Sequence, residues 1–87
     1  MGKGRNMLYK IPLVFSPQPE GGFTVTSPLV PELVTEGDTF DEALNNVHDA
    51  MAAVIEAYQD LGRALPSNAR LNDPDSPIWF ETVVAAA

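Results

Sequence analysis

The sequence predicts an α+β domain in the order β-β-β-α-β, with one long helix packed on one face of a small, mostly antiparallel sheet. Three observations lead there. Apolar residues at Phe40, Leu44, Val47, Met51, Val54, Tyr58 and Leu61 fall at alternating spacings of four and three, the mark of a helix with a single apolar face. Two alternating stretches precede it, separated by a turn run that carries Gly21-Gly22. A β-branched and aromatic segment, Ile78–Val84, follows it after a long polar loop.

From Leu8 to Phe15, Tyr9, Ile11, Leu13 and Phe15 point one way and Leu8, Lys10, Pro12 and Val14 the other, which is a strand by period. Pro12 removes a ladder donor and belongs where no partner strand needs it. Ser16–Gly22 reads as the turn, with its two glycines supplying positive φ. Phe23–Ser27 is the second strand, with Phe23 and Val25 inward, and closes a hairpin. Pro28-Leu29-Val30-Pro31 interrupts any regular strand, so an irregular connection leads to a short third strand, Leu33–Glu36, ending at Gly37. The helix then starts at a capping box. The Thr39 hydroxyl is placed to accept from the Glu42 N–H, and the Glu42 carboxylate to reach back to the Thr39 N–H. Asp41 and Glu42 also put negative charge at the positive end of the helix dipole. Gly62 marks the C′ position, and Pro66 forbids continuation. Ala64–Pro77 is a polar loop with three prolines, and Ile78–Val84 is the last strand. Residues 1–7 read as an unstructured lead or cloning remnant, 8–84 as one domain and 85–87 as a frayed tail.

A chain of 87 residues makes one domain with a thin core. It has no cysteine, which excludes disulfides and thiolate-held metals and suits a reducing cytoplasm. No apolar run has the length of a membrane span. The charge is uneven. From Ile11 onward Arg63 and Arg70 stand against all twelve acids, a net of −10. Such a surface repels phosphate backbones, so no direct nucleic-acid contact is expected. It keeps a small domain soluble and complements a basic protein partner.

Catalytic candidates are few. His48 is the only histidine and lies off the apolar stripe, where a solvated surface position accounts for it. Asp38, Asp41 and Glu42 are accounted for by helix capping, and Asp73/Asp75 lack the spaced oxygen ligands of a calcium loop. Gly21-Gly22 precedes no helix and no lysine follows, so it is not a phosphate loop. Neither an enzyme, a cofactor nor a metal is expected.

Residues Tyr9–Pro66 resemble the HicB antitoxin N-terminal domain. The resemblance rests on Gly21-Gly22-Phe23, Pro28-Leu29-Val30-Pro31, Val34-Thr35-Glu36-Gly37-Asp38-Thr39, Glu42-Ala43-Leu44, and Gly62 followed by Leu65-Pro66, in order and over about two-thirds of the chain. Glu32 stands where the family commonly has glycine. The resemblance implies a partial, catalytically degenerate ribonuclease-H-like fold. It also implies a role neutralising a HicA-type toxin, a small basic RNA-cleaving protein with a double-stranded-RNA-binding fold and a catalytic histidine. Relatives of this kind commonly append a DNA-binding domain. Only 26 residues follow Leu61, and the loop and last strand use them, so none is expected here.

Two functions compete. In one, the chain binds and occludes a basic toxin, with Glu32, Glu36, Glu56 and Asp60 as the candidate partner surface. In the other, it is a solitary homo-oligomeric module with a regulatory or scaffolding role and no toxin. A short neighbouring reading frame that is basic and carries a histidine favours the first. Because one helix covers only one sheet face, a homodimer or higher homo-oligomer is expected in either case, with Trp79 and Phe80 at the interface.

Overall fold

The computed structural model describes residues Leu8–Val84 and Ala86. The expected lead over residues 1–7, and Ala85 and Ala87 of the expected tail, lie outside the described residues. Three antiparallel strands come first: β1 (Val14–Pro17), β2 (Phe23–Thr26) and β3 (Val34–Gly37), in sheet order β1-β2-β3. The helix α1 (Phe40–Asp60) follows, then a short 3-10 helix, Ser67–Ala69.

The register sorts the side chains. Phe15, Val25 and Thr35 form one cross-strand row, and Pro17, Phe23 and Gly37 the next. This face carries the core, for Val25 is fully buried and sits with Ala43, Val47 and Met51 of α1. The opposite face presents Val14, Thr26 and Val34 in one row and Ser16, Thr24 and Glu36 in the next, a largely polar, β-branched surface that tolerates water. The uncovered apolar surface expected there lies elsewhere. The helix packs on β3 and β2, which leaves the β1 end of the inner face open.

The first strand is shorter than its alternation predicts. Burial alternates from Leu8 to Phe15 as expected, but only Val14–Pro17 forms strand. Residues 8–10 instead pair with 69–71, where Lys10 N–H donates to Ala69 O at 2.8 Å and Leu71 N–H to Leu8 O at 2.8 Å around the Tyr9–Arg70 bridge. Pro12, lacking an N–H, separates this bridge from β1.

The proline-rich connection carries part of the core. Val30 and Leu33 are both fully buried. The Ser27 hydroxyl fixes their turn by accepting from the N–H groups of Leu29 and Val30, each at 3.2 Å, and Leu33 N–H donates to Val30 O at 3.0 Å. Each such side chain contributes about 1.5–3 kcal/mol of hydrophobic stabilisation.

The helix is rotated slightly from its predicted stripe. Ala43, Val47, Met51 and Tyr58 are buried, Leu44 and Val54 are half-buried, and Leu61 is exposed beyond the last turn. Small residues face the sheet because strand and helix approach closely. A Cβ on Gly37 would run into the backbone N of Ala43 and fall 2.6 Å from its Cα.

The last expected strand, Ile78–Val84, is not a strand. Among the described residues no segment pairs with it in a ladder, and its apolar side chains are exposed, with Trp79 97% exposed. β propensity alone does not make a strand without a ladder to join.

Candidate protein-binding site

Both ends of α1 are fixed locally, and they position the acidic side chains. At its start Thr39 is extended, and its Oγ1 accepts from Glu42 N–H at 3.0 Å. The Glu42 carboxylate accepts from the Asp38 N–H rather than that of Thr39. The tight β3–α1 turn presents the Asp38 donor over the first helical turn. At its end Gly62, with φ +67°, lets its own N–H donate to Gln59 O at 3.1 Å and Arg63 N–H to Tyr58 O at 2.9 Å. That pairing is the Schellman motif.

Arg63 is thereby held with its guanidinium 4.9 Å from the centroid of the Tyr58 ring. The Tyr58 hydroxyl donates to Glu32 Oε1 at 2.8 Å, joining the end of the helix to the connection before β3. That hydrogen bond, helped by a backbone donor and by Arg63, holds the Glu32 carboxyl below its ordinary range. The same bond, with burial, raises the Tyr58 phenol.

Glu36 lies at the other end. Its carbonyl accepts from Asn46 Nδ2 at 2.7 Å, and its side chain lines an open polar groove of about 390 Å³ with Glu20, Asp38 and Glu42. Glu56 and Asp60 are exposed, one turn apart on α1. The four candidates therefore do not form one patch. Glu32 is tied to Tyr58, between Glu56 and Asp60 in sequence, while Glu36 joins a second acidic cluster at the hairpin tip. Glu20 escaped the sequence reading. The pairing of Phe23 with Gly37 brings the hairpin turn beside Asp38, and only the register carries that information.

The two interface candidates sit on the tail, where Phe80 is 71% exposed and next to the almost fully exposed Trp79. Phe80 also borders an open apolar groove of about 520 Å³ with Ile11, Leu13, Leu44, Met51 and Ile55. His48 is exposed on the rim of this groove. Among the described residues no group of three or more His, Cys, Asp or Glu could hold a metal ion. None of their helices is long and apolar enough to cross a membrane.

No protein-family model matches the chain. Curated relatives do. It is 39% identical over 62 residues to a protein named Antitoxin HicB 1 from Photorhabdus laumondii, covering 71% of this chain and 39% of that relative. It is 32% identical over 77 residues to proteins named Antitoxin HicB from two strains of Escherichia coli, covering 88% of this chain and 56% of each. The chain thus spans about half the length of the curated relatives it matches. A match over 77 of the 87 residues takes in the three strands and the capped helix. Over most of its own length the chain is thus similar to proteins named Antitoxin HicB.

Proposed function

We propose that the chain is an antitoxin domain that neutralises a small, basic, RNA-cleaving toxin of the HicA type by occluding it, without catalysis or nucleic-acid contact of its own. The kinship to proteins named Antitoxin HicB carries this reading. The charge supports it, since twelve acids face only two arginines from Ile11 onward. A basic partner is drawn to such a surface and loses affinity as salt rises. Glu32, Glu36, Glu56 and Asp60 are the proposed contacts, and all four side chains are exposed. Glu32 is the best preorganised, because Tyr58 already orients its carboxylate. The chain is further proposed to act in the cytoplasm as a homodimer or higher homo-oligomer.

The test pairs the purified chain with a HicA-type toxin. The chain is expected to suppress RNA cleavage, and the suppression to weaken with salt. Reversing the charge at Glu56 and Asp60 should weaken binding while leaving the fold intact. Undiminished cleavage at saturating chain overturns the reading.

A further inference from the structure

Two unsatisfied features occur on the same chain. One is the apolar tail Ile78–Val84, which exposes Ile78, Trp79, Phe80, Val83 and Val84. The other is the groove left open because α1 sits over β3 and β2. Ile11 and Leu13 of the lead to β1 line one wall, Leu44 and Ile55 of α1 the other, and the stacked rings of Phe15 and Phe40 bridge the two at one end. We infer that the tail of one copy fills this groove on a second copy, and that the exchange is reciprocal. This rests on the homo-oligomer in the proposed function and names the surfaces that make it.

The dimensions match. Seven extended residues span about 23 Å at ~3.3 Å each. From Phe40 to Ile55 the helix wall runs about 22 Å at ~1.5 Å per residue. The charges also match. Each copy carries a net −7, so two copies repel unless they meet at neutral surface. The tail carries one charge, Glu81, and the groove walls named above carry none. That neutrality favours a second copy over the basic partner, which is drawn to the acidic faces instead.

The connector argues for exchange over self-docking. Asp73 closes a tight turn just before the tail, its Oδ2 accepting from Ser76 Oγ at 2.6 Å, its Oδ1 from Asp75 N–H at 3.0 Å and its carbonyl from Ser76 N–H at 3.1 Å. Pro74 and Pro77 stiffen it further. The tail leaves this turn along the rim of its own groove, and a gap of about 570 Å³ remains between them. Short, stiff hinges favour exchange between copies. Two tails with the walls they cover amount to an interface on the order of the ~1,200–2,000 Å² of stable complexes, given ~150–250 Å² per large aromatic. A two-fold axis closes the assembly.

The absence of cysteine makes the test direct. Light scattering on the full chain should give twice the 9.4 kDa chain mass, and the double change Trp79→Ser with Phe80→Ser should halve it. Chains carrying Ala52→Cys, an exposed groove residue, are mixed with chains carrying Phe80→Cys and oxidised. Disulfides joining position 52 of one chain to position 80 of the other should predominate over like-with-like products. A monomer at high micromolar concentration overturns the inference. So does a chain carrying both cysteines that closes only a disulfide within itself, which would show self-docking. Toxin binding by the monomeric Trp79/Phe80 variant separates the two readings. If it persists, a failed exchange leaves the antitoxin function standing.

Discussion

The region from Phe15 to Gly62 and the region from Ala64 to Val84 have similar apolar content but opposite fates. In the first, the three phenylalanines of the inner face pack on one another. Phe15 stacks on Phe40 with centroids 4.4 Å apart, and Phe23 meets both rings edge-on at 6.0 and 6.3 Å. In the second, Leu65 and Ala69 are buried, yet five large apolar side chains beyond Pro77 are exposed. The difference is one of available surface. Three strands and one helix cover most of one another's apolar faces, and the tail lies only along the rim of the groove left open beside β1. Stability should therefore be concentrated before Gly62, and association after it.

The sharpest way to break this contrast is Leu33→Ala. Leu33 is fully buried in the connection beside Val25 and Val30, and its truncation should cost about 2–5 kcal/mol in a denaturant melt. A loss near zero would mean that the proline-rich connection is not part of the core. Gly37→Ala should come next, at about 1–3 kcal/mol, because the added methyl meets helix backbone that has no rotamer to escape into. Thr39→Ala should cost ~1 kcal/mol by freeing the Glu42 N–H.

Smaller still is the Glu32–Tyr58 link, read best as a pH profile. The Glu32 carboxyl is depressed in the folded chain below its ordinary value of 4.5. The folded state therefore binds fewer protons than the unfolded one in that window. The contribution is present above the ordinary value and is lost as pH falls through the depressed one. The Tyr58 phenol is raised above its ordinary 10.0, so its contribution is present below that value and lost as pH climbs past it. Tyr58→Phe should flatten the acid limb of stability, and an unchanged limb would remove Glu32 from the fold's pH dependence. The smallest effect belongs to the tail. At a dilution that leaves the chain monomeric, Trp79→Ala should change unfolding stability by less than ~0.5 kcal/mol. A larger loss would place Trp79 in the core.

What the sequence by itself determined is what local chemistry settles. The helix and both its caps follow from residues within one turn of each other: Thr39 with Glu42, and Gly62 with its left-handed φ. The two hairpin strands and the inward direction of Phe15, Phe23 and Val25 follow from a period of two around Gly21-Gly22. The capping partner of the Glu42 side chain was off by one residue, because the turn from β3 decides which donor is near.

Tertiary structure decided whatever depends on a distant neighbour. Val30 lies in the irregular connection and Leu33 at the start of the expected third strand, which begins one residue later at Val34, and only the closing of the sheet over α1 shows both to be core. The rotation of the helix toward Ala43 follows from the close approach at Gly37, which no helical pattern reveals. Register, not composition, set Glu36 beside Glu20, and the fold tied Glu32 to Tyr58 across 26 residues. The tail Ile78–Val84 has the residues of a strand, but a strand needs an edge to pair with, and in one copy of this fold the helix and the three-stranded sheet leave it along the rim of an open groove.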